Sequence, residues 1–125
     1  MDIRTYLYDA QLSQTLKVDT VCAFALSPEA KAQVRMRDFC SAIGADEEPA
    51  SGTTSGALGC YLVKHGVISA NQQGEVRVQV EQGVEMGRPS WIEVRLTRVK
   101  GAGQRVGVRG RAIEVLKGKL FLRGD

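Results

Sequence analysis

The chain has 125 residues, of which 43% are hydrophobic and 25% charged, with a formal net charge of +3. That length suits one domain with its own core, and that composition argues against disorder. No apolar run reaches the ~20 residues of a membrane span, so no membrane partner is expected. Met1-Asp2-Ile3-Arg4 lacks the basic-then-apolar pattern of a signal peptide, which makes the expected location cytoplasmic.

The charge is unevenly divided. Residues 1–90 carry 8 basic and 11 acidic residues, whereas residues 91–125 carry 9 basic and 3 acidic ones. The basic residues of that last third alternate with apolar ones, as on a solvated sheet face, so no nucleic-acid partner is expected. Cys22, Cys40 and Cys60 form no CxxC pair, and their odd number argues against a disulfide framework. With one histidine and no Cys/His cluster, no metal site is expected.

In chain order, Ile3, Leu7 and Ala10 share one face of a short predicted helix. Thr20 to Leu26 reads as a buried strand, ended by a turn over Ser27-Pro28-Glu29-Ala30. Gln33 to Phe39 reads as a second strand, with Val34 and Met36 facing one way and Arg35 and Arg37 the other. Residues Ala57 to Gly66 predict a helix with Ser51 or Thr53 as N-cap and Gly66 as the stop. Its apolar residues run nearly all the way round, which predicts full burial. Gly56 and Gly59 cost roughly 1 kcal/mol each against alanine in a helix, so strands are expected to approach the helix backbone there.

Beyond a turn at Ser69–Gly74 the period becomes two. Val76, Val78 and Val80 face inward, and after the turn Gly83–Ser90 so do Ile92, Val94 and Leu96. Lys100-Gly101-Ala102-Gly103-Gln104 predicts a hairpin loop and Val106 and Val108 another strand. Gly110 predicts a bulge, Ile113 and Val115 continue the strand, Lys117-Gly118 turns, and Leu120 and Leu122 close the chain. These elements make an α+β domain over residues 1–125: about four antiparallel strands after one central helix, and two before it.

The chemistry concentrates at Ala50-Ser51-Gly52-Thr53-Thr54. A helix N-terminus carries unpaired amides and about half a positive charge, and small residues let an anion approach it. Ser51, Gly52, Thr53 and Thr54 therefore read as a carboxylate or phosphate contact, or as a plain N-cap loop. Glu47 and Glu48 precede the helix and read either as ligand-contacting, proton-transferring carboxylates or as dipole-complementing surface acids. His65 lies at the other helix end, and Arg88 reads either as pairing with Glu85 in a structural role, the favoured reading, or as reaching an anion.

The segment Gly44 to Gly66, centred on Glu48-Pro49-Ala50-Ser51-Gly52-Thr53, resembles the C-terminal half of the PhzF family of isomerase-like proteins, which usually reads Glu-Asp-Pro-Ala-Thr-Gly-Ser here. Ala57-Leu58-Gly59-Cys60-Tyr61-Leu62-Val63-Lys64-His65-Gly66 is similar to the family's following helix. Val80-Glu81-Gln82-Gly83-Val84-Glu85-Met86-Gly87-Arg88-Pro89-Ser90 is similar to its Glu-Gln-Gly-x-x-Met-Gly-Arg-Pro-Ser signature.

The resemblance implies one lobe of a diaminopimelate epimerase-like fold, a single curled antiparallel sheet or barrel wrapped around a central helix. It implies isomerisation of a small carboxylated ligand by proton movement, with no cofactor. By position, the family's acidic ligand contact falls on Glu48 and its Gly-Ser contact on Gly52 and Thr53. Glu48, Ser51 and Thr53 keep the chemical class of the family's Asp, Thr and Ser but change reach or bulk, which leaves the substrate open. The family's catalytic glutamate belongs to an N-terminal lobe that nothing in this sequence matches. Glu48 is then the candidate catalytic residue, in a site formed between two copies as a homodimer. A non-catalytic small-carboxylate binder, and one lobe of a hetero-complex with a separate catalytic chain, stay open beside it.

Overall fold

A computed structural model describes residues 10–27, 33–99 and 103–121. The predicted helical face of Ile3 and Leu7, the turn at Pro28–Ala30, the loop at Lys100–Ala102 and Leu122 lie outside the described residues. Helix α1 (Ala10–Leu16) comes first, then strands β1 (Val21–Leu26) and β2 (Val34–Phe39), a 3₁₀ turn (Ser41–Ile43), and the short strand β3 (Glu47–Glu48). Helix α2 (Gly52–Lys64) follows, then β4 (Glu75–Gln82), β5 (Ser90–Val99) and β6 (Gly103–Gly110).

The strands form one six-stranded sheet in the order β1-β2-β4-β5-β6, with β3 paired to β2. The expected antiparallel sheet is in fact mixed. β2 and β4 run parallel, with Val34 opposite Val80 and Met36 opposite Gln82. A parallel pair needs a long crossover, and the segment containing α2 supplies it. The four pairings between strands adjacent in sequence are antiparallel, as expected. The pairing of β2 with β4 is a non-local event that no local periodicity reports.

Alternation decides the core. Val34 and Met36 of β2, Val76, Val78 and Val80 of β4, and Ile92, Val94 and Leu96 of β5 are all buried and meet Leu58 and Leu62 of α2. The opposite face is an ionic lattice: Glu75 bonds both Arg77 and Arg95, Glu93 bonds Arg109, and Arg35 bonds Glu85. The expected Glu85–Arg88 pairing does not occur, because Arg35 on the neighbouring strand reaches Glu85 first and Arg88 is left exposed.

Glycines set the depth at which α2 sits. A Cβ on Gly59 would lie 2.8 Å from Val94 Cγ1, and one on Gly56 3.3 Å from Val106 Cγ1, so the expected close approach of strands to the helix is present. Full burial of α2 is not. Its buried residues are Ser55, Gly56, Leu58, Gly59 and Leu62, while Ala57 and Tyr61 are exposed. The sheet covers one side of α2, and apolar character on the other side does not create a second layer.

Two further expectations fail at the sheet's edges. β1 is an outer strand whose residues Phe24, Ala25 and Leu26 are exposed, so it is not the buried strand its composition suggests. At the other edge Gly110 forms no bulge; it pairs with Ile92 and ends β6. Residues 111–121 beyond it join no strand and make no Lys117-Gly118 hairpin.

Candidate functional site

The N-terminal turn of α2 is held from below. Gln82, fully buried at the end of β4, accepts a hydrogen bond from the Ser51 amide at 2.9 Å and donates to the Glu48 carbonyl at 2.7 Å. One side-chain amide thus ties the strand β3 to the first turn of α2, with donor and acceptor both used. Gly83 follows with φ +78°, and a Cβ there would lie 2.6 Å from the Pro49 carbonyl oxygen and 2.5 Å from that of Arg88. Only glycine fits that position, which is what the Glu81-Gln82-Gly83 triplet contributes to the site.

Ser51 is the N-cap: its hydroxyl accepts from the Thr54 amide at 3.3 Å, as expected of that residue type. The same hydroxyl donates to Thr54 Oγ1 at 2.9 Å, and Thr54 Oγ1 donates to Asp38 Oδ2 at 2.6 Å. Ser51 and Thr54, two of the predicted contacts, are therefore committed to the helix cap. In the first turn the Ser51, Thr54 and Ser55 amides are all used. This leaves Gly52 and Thr53 as the residues whose amides have no protein acceptor among those described, and both residues are exposed.

The two predicted carboxylates part company. Glu47 is 7% exposed and locked in a two-pronged ion pair with Arg37, at 2.9 and 2.7 Å. The Arg37 guanidinium also lies over the Phe39 ring, 4.9 Å from its centroid. That geometry makes Glu47 a buried structural anchor. Glu48 is half-buried and its carboxylate has no ion pair among the described residues. It pairs with Asp38 across β2–β3, so both side chains project to the same sheet face.

Asp38 is the residue that sequence reasoning missed. It is fully buried, its Oδ2 is held by Thr54, and its Oδ1 has no partner among the described residues. In a run of Val34-Arg35-Met36-Arg37-Asp38-Phe39 its place on the inward face follows from alternation with Val34 and Met36. The available signal was a carboxylate at an inward position of a strand. Cys22 sits opposite it on β1. Burial, and then the nearby Asp38 charge, push the Cys22 thiol up to about 11, so it is an inert thiol rather than a nucleophile. Burial also raises the Cys40 thiol above its ordinary value, with the Glu48 and then the Asp38 charge adding to it.

A cleft of about 600 Å³ lies between β1 and α2, lined by Cys22, Phe24, Thr53, Thr54, Ala57 and Tyr61. Thr53 and Thr54 bring the open end of α2 to it. His65 lies away from this end, its ring 4.3 Å from that of Tyr61. Among the described residues no group of three or more His, Cys, Asp or Glu side chains is placed to hold a metal, and no helix is long and apolar enough to cross a membrane.

A mixed sheet with one covering helix, entered through a small-residue turn, defines an α+β fold. A phenazine biosynthesis protein of the PhzF family from Bacillus anthracis shares this fold, with a TM-score of 0.59 over 71% of this chain and 30% of that one, at 24% identity. The chain belongs to the family of phenazine biosynthesis-like proteins (PhzC-PhzF), whose model matches residues 2–118. An uncharacterised isomerase of Clostridium acetobutylicum is 32% identical over 90% of this chain and 37% of its own length. The trans-2,3-dihydro-3-hydroxyanthranilate isomerase of Pseudomonas aeruginosa is 36% identical over 70% of this chain and 30% of its own. The chain thus spans about a third of the length of the relatives it matches.

Proposed function

We propose that this chain is an isomerase-type lobe that binds the carboxylate of a small ligand at the first turn of α2 and moves a proton through Glu48. The observation that carries the reading is the pair of open amides at Gly52 and Thr53, with the Thr53 hydroxyl beside them and Thr53 itself lining the cleft. Two adjacent N–H groups at the positive end of a helix are a carboxylate receptor. Their rigidity comes from Gln82 below and the Ser51–Thr54–Asp38 chain beside them.

Glu48 supplies the proton-transfer group because Glu47 is consumed by Arg37. It works in a cleft that a second copy completes, since Ala57 and Tyr61 of α2 stay exposed even with Phe24 of β1 edge-on to Tyr61. In that arrangement a sheet wraps α2 on both sides, the enclosed lobe that the family resemblance implies. The names of the Pseudomonas relatives suggest a first ligand to try, a dihydro-hydroxyanthranilate, which carries an amine and a hydroxyl besides its carboxylate. The non-catalytic reading has one observation in its favour: with Glu47 committed to Arg37 and Asp38 buried beneath the α2 cap, Glu48 is left as the accessible carboxylate of these three.

Solvent-deuterium exchange into that ligand, read by NMR, tests the proposal. Exchange by the native chain that falls at least about 100-fold in Glu48→Gln supports Glu48 as the acid–base group. Exchange unchanged in Glu48→Gln removes Glu48. Ligand-induced shifts at Gly52 and Thr53 with no exchange in either protein leave the carboxylate-binding reading in place.

A further inference from the structure

Ile113, Val115, Leu116, Leu120 and Phe121 are 84–87% exposed, whereas the next most exposed large apolar residue, Leu16, reaches 61%. Large apolar side chains this exposed and gathered in one short segment, among Glu114 and the lysines Lys117 and Lys119, mark an interface. The run continues from Gly110, the last residue of an outermost strand. Among the described residues β6 therefore keeps one side of its backbone unpaired along its length. Beside it lies an open groove of about 480 Å³, lined by Gly52, Thr53, Gly56 and Cys60 of α2 and by Val106 and Val108 of β6. The missing side chains of Gly52 and Gly56 give the groove its depth. One chain thus carries both an apolar extended segment without an edge to join and an apolar edge without a strand.

We propose that residues 111–121 of one copy add as a strand to the β6 edge of a second copy, reciprocally, and fill the groove against α2. Ile113 and Val115, two residues apart, face inward onto Gly56 and Cys60, with Arg111 and Lys117 at the rim. The segment does not serve its own edge, because that requires a reversal within a few residues of Gly110, and no turn occurs between residues 111 and 121. Eleven extended residues reach roughly 35 Å, far enough to cross onto a neighbouring lobe.

Reciprocal exchange obeys two-fold symmetry, leaves neither segment over, and involves about two dozen residues per copy, within the usual range for a stable interface. Thr53 lines both the groove and the site cleft, so the partner's segment becomes a wall of the site. The inference therefore rests on the two-copy reading given above.

The test uses the whole chain. Sedimentation over a wide concentration range is expected to show a reversible dimer of twice 13.6 kDa. Val115→Asp, which changes an exposed residue of the lone lobe, is expected to weaken it at least about thirtyfold with an unchanged circular dichroism spectrum. Mild oxidation of Ile113→Cys is expected to give a covalent dimer that is lost when Cys60→Ser is added. A disulfide closed within one chain, or a dimer indifferent to Val115→Asp, overturns the exchange and leaves the two-copy cleft standing. A monomer at every concentration overturns both.

Discussion

Val76-Arg77-Val78-Gln79-Val80 in β4 and Ile113-Glu114-Val115 in the C-terminal segment have the same period-two pattern, and they meet opposite fates. Val78 and Val80 are fully buried, whereas Ile113 and Val115 are 84% and 85% exposed. β4 has β2 on one side, β5 on the other and α2 above. Residues 111–121 pair with no strand among the described residues. Alternation specifies which residues share a face. Whether that face is buried depends on a partner, which in a sheet is a non-local matter.

The largest effect that sharpens this contrast comes from matched truncations. Leu96→Ala, in the fully buried centre of β5, is expected to cost about 2–5 kcal/mol of unfolding free energy. Leu116→Ala is expected to change the stability of the dilute chain by less than about 0.5 kcal/mol. Urea unfolding of both variants at low protein concentration checks the pair. Equal losses would mean that residues 111–121 are packed, and the contrast between the two regions would disappear.

Next in size is a polar exception inside the well-packed region. Gln82 is as buried as Val80, and it is tolerated because both ends of its amide are bonded. Gln82→Ala leaves the Ser51 amide and the Glu48 carbonyl without that partner. It is expected to cost about 1–3 kcal/mol and to broaden the Gly52 and Thr53 amide signals in an NMR spectrum. A loss of stability with those signals unmoved would separate Gln82 from the site.

The smallest effect lies on the solvent face of the same strands. Hydrogen bonds from Arg77 and then Arg95 hold the Glu75 carboxyl below its ordinary value, and Arg109 does the same to Glu93. A carboxylate with a lowered folded-state value stabilises the fold above its unfolded value of about 4.3, and that contribution is lost as the pH falls through the lower folded value. Thermal unfolding between neutral pH and pH 3 is therefore expected to show a shallower acid loss in Glu75→Gln than in the native chain. Salt is expected to shrink the difference, as for any exposed pair.

Much of this molecule was legible in the sequence because local rules governed it. The inward faces of β2, β4 and β5 follow from period two, Ser51 from capping chemistry, and Gly56 and Gly59 from their cost in a helix that nonetheless forms. The family itself was legible in two motifs flanking α2. What tertiary structure alone decided are the matters of partnership. The parallel pairing of β2 with β4, the exposure of β1 and the one-sided burial of α2 each depend on which element lies alongside. The same reason divides Glu47 from Glu48: adjacent residues on a two-residue strand point to opposite faces, so Arg37 captures one and the other shares the face of Asp38. Asp38 became a member of the site only when β1, β3 and the cap of α2 closed around it. Side-chain pattern is carried by each residue and its near neighbours, whereas burial and charge pairing are set by contacts between segments far apart in the chain.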